Sequence, residues 1–281
     1  MLSSSRTDLA SEAVGALGED ARTLPGLSVR RQEICGAPVL AVEIKDAAAA
    51  EAVGKGVGKY YTLELGRHVT RAAPSFSSSA RAVAELIRRC GVPQGGVLVA
   101  ALGNPDITPD ALGPLCASSV LVTRHLKQSG GELWRPFAPV SLVRTGVLGT
   151  AGIESAAHIR ALCQSLRPSL VIAVDALAGS DADSLCRSIQ VCDSGISPGS
   201  GVCNDRERID RESLGVPVTA IGVPTVADAA ALCGEGQGSG LFVTPRDIDS
   251  SVRECARIIA YGINLALHPS LCPEDIDALV G

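Results

Sequence analysis

Residues 97–114 read Val97-Leu-Val-Ala-Ala-Leu102-Gly103-Asn104-Pro105-Asp-Ile-Thr108-Pro109-Asp110-Ala-Leu-Gly-Pro114, and this run decides the fold. An unbroken apolar run stops abruptly at Gly103-Asn104-Pro105. Helix-start chemistry follows, with Thr108 as candidate N-cap, Pro109 at the first helical position and Asp110 in the first turn, which predicts a helix over 109–118. A buried strand that passes through a glycine loop into a helix is where open α/β proteins place their ligands.

The same rhythm continues on both sides. Strands are expected at Tyr60–Leu65, Val140–Val143, Leu170–Asp175, Ser188–Cys192 and Pro217–Val223, with an extended piece at Val120–Thr123. Helices are expected at Ala47–Val53, Ser75–Cys90 and Ile153–Leu166, starting again at Ala227–Cys233, and finally at Thr244–Leu267 with Pro245 and Asp247 at its N-terminus. Ser28–Ile34 and Pro38–Ile44 read as a hairpin around Cys35-Gly36-Ala37. Residues 1–26 read as an arm with a short helix near Leu9–Leu17. No internal repeat is visible, and the glycine-rich 234–240 stretch separates the last helix from what precedes it. The expectation is one α/β domain of three layers, phosphorylase/hydrolase-like, with a central mostly parallel or mixed sheet and helices on both faces.

Hydrophobic residues make up 46% of the chain but aromatics only 2%, so the core must be aliphatic. That suits strands buried on both faces. No apolar run approaches the roughly 18 residues of a membrane span, and the N-terminus lacks the basic and apolar regions of a secretory signal, so a cytoplasmic protein is expected. The 10 cysteines form no C-x-x-C pair and read as reduced, structural thiols. A net charge of −5 without a basic run argues against direct nucleic-acid binding. His68, His125, His158 and His268 form no H-x-x-x-H pair. No G-x-G-x-x-G follows a strand, and no cofactor or metal ligand set is assigned.

Two carboxylates stand out. Asp110 follows the first buried strand and Asp175 ends Leu170-Val-Ile-Ala-Val-Asp175. A carboxylate at the tail of an apolar strand needs solvent, a partner or hydrogen bonds. Two of them in one crevice cannot both ionise easily, so one keeps a proton while the other activates water; they could equally hold a metal ion. Taken singly, Asp110 could simply complement a helix dipole and Asp175 cap a turn. Asp193 and Asp228 also follow strands and could line the same crevice. Gly54–Gly58 and Ile196–Gly201 read as turns.

Several segments in order along nearly the whole chain resemble the germination protease family of spore-forming bacteria. They are Arg6-Thr-Asp-Leu-Ala10, Tyr61-Thr-Leu-Glu64, Gly103-Asn104, Thr108-Pro-Asp-Ala-Leu-Gly-Pro114, Val120-Leu-Val-Thr-Arg-His-Leu126 and Gly152-Ile-Glu154. Further on come Val171-Ile-Ala-Val-Asp-Ala-Leu-Ala178, Asp193-Ser-Gly-Ile, Pro198-Gly-Ser-Gly-Val202, Leu214-Gly-Val-Pro217 and Ala220-Ile-Gly-Val-Pro-Thr-Val226. The resemblance implies an atypical aspartic-type endopeptidase with a fold like the hydrogenase maturation proteases, acting on small acid-soluble spore proteins in the spore core. It maps the catalytic pair onto Asp110 and Asp175; the Gly103-Asn104 turn then reads as the wall that lets a peptide approach Asp110. It also implies a zymogen whose junction is an acidic residue, a large apolar one and Ala. Here that is Asp8-Leu9-Ala10, so residues 1–8 are the expected pro-segment and 9–281 the peptidase. A homotetramer is implied too. The chain departs from the family in having Ala101 where Gly is usual, Ser197 where His is usual, and a short connection from Cys233 to Leu241.

Three other readings compete. One is a metal-assisted, maturation-type peptidase on the same scaffold. A second is a peptidyl-tRNA hydrolase-like esterase, suggested by Leu102-Gly-Asn-Pro105 and Thr123-Arg-His125 and disfavoured by the acidic charge. The third is a non-catalytic assembly protein.

Overall fold

The computed structural model describes residues 7–66, 70–199, 206–230 and 241–280. His68, Cys203, the glycine-rich 234–240 stretch, Ser200-Gly201 and residues 231–233 of the helix expected at Ala227–Cys233 lie outside the described residues.

The strands are β1 (Leu27–Ile34), β2 (Ala37–Ile44), β3 (Gly58–Glu64), β4 (Val97–Leu102), β5 (Val140–Gly146), β6 (Leu170–Gly179), β7 (Ser188–Cys192), β8 (Val218–Asp228) and β9 (Phe242–Val243). They form one sheet in the order β1-β2-β3-β7-β8-β6-β4-β5, with β9 on β8. β5, β4, β6 and β8 run parallel to one another. The pairings from β1 through β7 to β8, and β8 with β9, are antiparallel. The sheet is therefore mixed, with a parallel half that carries long crossovers and an antiparallel half that starts from the β1–β2 hairpin.

Side-chain alternation divides the core into two faces. Val97, Val99, Ile172, Val174, Ile221 and Val223 pack under the helices Pro74–Cys90, Leu112–Ala117 and Ile248–Leu267. Leu98, Ala100, Leu102, Val171 and Ala173 face the Ser155–Leu166 helix. Ala10–Ala16 and Ala47–Val53 cover the antiparallel half on that second face. Every residue of β4 is buried, as an unbroken Val/Leu/Ala run between two helical layers requires. The three-layer α/β architecture expected from the sequence is the one observed.

Several local expectations are corrected. Residues 109–118 do not form one helix: a 3-10 turn spans Thr108–Asp110 and the α-helix covers Leu112–Ala117. Thr108 does not cap it, because its hydroxyl donates to Asp249 at 2.8 Å. Val120–Thr123 is not a strand of the sheet: the Leu121 N–H donates to the Asn264 side chain, and Thr123 meets Val140 by one backbone bond, from its N–H to the Val140 carbonyl, and by its hydroxyl, which accepts the Val140 N–H. Residues 227–228 remain in β8, and the last helix begins at Ile248 with Pro245 in the turn before it. β6 also continues past Asp175 to Gly179, so Asp175 is interior to its strand.

Candidate active site

Asp175 is 5% exposed, yet it sits in the middle of a sheet. Its position becomes intelligible from the register. The β4–β6 ladder ends at Ala101↔Val174, while β6 continues along β8 with Asp175 opposite Gly222. From Asp175 onward, the β4 side of the strand is vacated. The chain leaving β4 turns away through Gly103, whose φ of +106° only glycine adopts readily.

That turn carries Asp110. A Cβ on Gly103 would lie 2.0 Å from the Asp110 carbonyl oxygen, so the loop closes on itself only without a side chain there. Gly113 does the same for the helix that follows, since a Cβ there would lie 2.2 Å from the Leu102 carbonyl. Asp110 Oδ2 accepts the Asn104 N–H at 2.8 Å, and Thr225 on β8 donates its hydroxyl to the Pro109 carbonyl at 2.7 Å. The Asp110 carboxylate is thus held by the turn that leaves β4, and its loop is tied to β8.

They line a common cleft of about 340 Å³, whose walls include Gly103, Ser155, Pro198, Arg206, Thr225 and Phe242. Burial raises the Asp175 carboxyl well above the usual carboxylate range, and the Asp110 charge raises it further. Asp110 is also raised by burial, but the Asn104 N–H and the Arg206 guanidinium counteract this. The two environments differ in kind. Asp175 is the more strongly raised of the two, because its burial is reinforced by the neighbouring Asp110 carboxylate, whereas donors near Asp110 oppose its own shift.

The first described residues also enter this cleft. Asp8 lines it beside the two aspartates. Its N–H donates to the Ala178 carbonyl at 2.8 Å, and its Oδ2 accepts the Ala178 N–H at 2.8 Å. Leu9, next in sequence, is fully buried. Lys55 Nζ donates to the Thr7 carbonyl at 2.7 Å, and Glu12 accepts from the Ser180 N–H at 2.6 Å and the Ser184 hydroxyl at 2.7 Å. The Gly54–Gly58 turn is therefore more than a surface turn, because its lysine holds the N-terminal segment.

Two expected neighbours lie elsewhere. Asp193 accepts the Lys59 N–H at 2.7 Å and lines a separate cavity with Leu170, Pro217 and Val218. β7 runs antiparallel to β8, so its C-terminal end lies at the start of the parallel strands and not at their finish. Asp228 closes a local turn, accepting the Ala230 N–H at 2.9 Å, while its cross-strand partner Phe242 reaches the cleft. Asn104 acts through its N–H on Asp110. Ser197 sits beside the cleft, where its hydroxyl accepts from Arg208 at 3.2 Å. Among the described residues no group of three or more His, Cys, Asp or Glu side chains converges to hold a metal ion. Arg206 and Ser155 carry no sequence signal, since each is an ordinary polar residue far from the Asp110 stretch, and Thr225 is marked only as part of the Ala220–Val226 segment.

The chain matches the family described as Germination protease over residues 6–236. It is 37% identical to the germination protease of Caldanaerobacter subterraneus subsp. tengcongensis over 322 aligned residues, covering 98% of each chain. The protein belongs to the germination protease family. Other germination proteases align similarly, that of Clostridium perfringens at 33% identity over 84% of this chain and 86% of its own length. A Bacillus cereus germination protease is 36% identical over 96% of this chain and 76% of its own. A solved NiFe hydrogenase maturation protease from Thermococcus kodakarensis is 18% identical, covers 63% of this chain and 98% of its own, and superimposes with a TM-score of 0.37. Membership of the germination protease family makes the chain a protease. Among the described residues, no helix is long and apolar enough to cross a membrane.

Proposed function

We propose that the protein is an endopeptidase, made as a zymogen, in which Asp110 and Asp175 activate a water. Its first substrate is its own Asp8–Leu9 bond, and its later substrates are small acid-soluble spore proteins cut in the spore core as germination begins. The observation that carries this reading is the position of Asp8 in the same cleft as both carboxylates.

In this mechanism, ionised Asp110 takes a proton from the water as it attacks the Asp8 carbonyl carbon. Protonated Asp175 donates its proton to the carbonyl oxygen, giving a neutral tetrahedral adduct. Collapse of the adduct breaks the C–N bond, the leaving amine takes the proton from Asp110, and Asp175 recovers its own. The residues before Leu9 then form the released pro-segment. Assembly as a homotetramer belongs to the same reading.

The experiment is incubation of the protein with a small acid-soluble spore protein, with the cut bonds mapped by mass. Cleavage after an acidic residue and before a large apolar one followed by Ala is expected, together with a mature N-terminus at Leu9. An intact spore protein, or a mature chain that starts elsewhere, would refute this assignment. Cleavage lost with a chelator and restored by one ion would replace the carboxylate pair with a metal-assisted mechanism.

A further inference from the structure

We infer that Gln190 is a peptide-backbone clamp beside the cleft, in a cavity of about 330 Å³ that shares Asp8 and Leu177 with it, and that it reads the bond to be cut from both sides. This rests on the reading of Asp8–Leu9 as that bond. Gln190 lies on β7, pairs with Gly222 of β8, and is 6% exposed. A buried glutamine needs partners for both ends of its amide. Gln190 Nε2 donates to the Asp8 carbonyl at 3.2 Å, and Oε1 accepts the Ala10 N–H at 2.8 Å. The orientation of the amide is set by these partners, because one is an acceptor and the other a donor.

Those two groups are the carbonyl of the bond itself and the second N–H beyond it. Both hydrogen bonds go to backbone, so they do not depend on the side chains of the segment that supplies them. Its donor lies on the oxygen that gains charge as water attacks, where a fixed donor on a buried strand needs no rearrangement. Once Asp8 is released, Nε2 loses its partner while the Ala10 N–H stays with the mature chain, so the side chain favours an occupied cleft. The side chains of Asp8 and Leu9 are left to other walls of the site, and Gln190 sets the register in which they are read.

The test compares the parent with Gln190→Asn and Gln190→Glu, two variants of similar shape and polarity. Asparagine withdraws the amide by one methylene and cannot span both partners. At pH 8, glutamate keeps an acceptor for the N–H while replacing the donor that faces the carbonyl. The processed protein is given a synthetic peptide with the sequence of residues 1–17. Gln190→Glu is expected to lose about 100-fold in kcat with KM within about threefold of the parent, and Gln190→Asn to worsen in both. Parent-like kcat in Gln190→Glu would overturn the inference. In parallel, hydrogen exchange at the Ala10 amide is followed in unprocessed chains carrying Asp110→Asn. Gln190→Asn should exchange at least about 10-fold faster there, and unchanged exchange would refute the clamp whether or not any variant is active. A parent that leaves both the peptide and its own Asp8–Leu9 bond intact would remove the proposed function, and the exchange measurement would still decide the clamp.

Discussion

Asp8 and Ala178 hold each other by two hydrogen bonds, N–H to carbonyl and N–H to carboxylate, each of 2.8 Å. Ala178 lies on β6 three residues beyond Asp175, so this pairing sets residue 8 beside the two carboxylates of the cleft. The Asp8 charge adds to the effects that raise the Asp175 carboxyl. Asp8→Asn keeps an oxygen to accept the Ala178 N–H but removes that charge. The proton on Asp175 is then lost at lower pH, and the limb of the self-processing profile that reports it should move to lower pH. Mass analysis of unprocessed chains held at a series of pH values checks this, and an unmoved limb would separate Asp8 from the carboxylate pair.

Asp175→Asn and Asp110→Asn should each reduce cleavage at least about 1,000-fold, measured on the same peptide, because neither amide can exchange the required proton. Their effects on stability differ in a way that follows from the sign of the shift. The folded-state pKa of Asp175 is raised, so the ionised carboxyl costs stability at neutral pH, and that cost fades as pH falls toward the unfolded-chain value. Asp175→Asn should therefore melt at a higher temperature than the parent at pH 7, with the gap closing as the pH is lowered. A melting temperature that falls at pH 7 would argue that the charged form is well supported in the fold.

Gly103→Ala puts a methyl group within 2.0 Å of the Asp110 carbonyl oxygen, at a backbone angle that alanine disfavours. The loop must open, and the Asn104 N–H then no longer holds Asp110. Stability should fall by roughly 2 kcal/mol and cleavage by at least about 100-fold. A chemical denaturation curve and the peptide assay check the two parts separately. Parent-like activity would mean that Asp110 does not depend on this turn.

Much of this arrangement was legible in the sequence. The unbroken apolar runs at Val97–Leu102 and Leu170–Val174 give buried parallel strands, and the glycine turn after the first marks the cleft. Both aspartates follow from that. What was not legible was strand direction. Asp193 and Asp175 each close an apolar run, yet β7 is antiparallel to β8 and carries Asp193 to the far end of the sheet. Direction comes from long-range pairing, to which a local pattern is blind. The same holds for Gln190, whose place on β7 becomes meaningful only when residues 7–10 cross above it. The short Gly54–Gly58 stretch looked like a simple turn because the partner of Lys55 is distant in sequence.

His268 offers a test of the fold away from the cleft. It is buried, its ring lies 5.0 Å from that of Phe137, and neither ring nitrogen has a hydrogen-bond partner among the described residues. Burial, with the Lys127 charge adding to it, lowers its pKa to about 4. As pH falls below the unfolded value of about 6.5, the unfolded chain takes up a proton that the folded protein cannot accept. Stability is therefore unaffected by this group at neutral pH, declines from about pH 6.5, and levels off below about pH 4 after a loss of up to roughly 3 kcal/mol. His268→Phe keeps an aromatic ring against Phe137 and removes the titration. Subtracting its stability curve from that of the parent, each measured by denaturant unfolding between pH 7 and pH 4, should isolate this loss. A flat difference across that window would mean that the ring finds a proton acceptor in the folded protein.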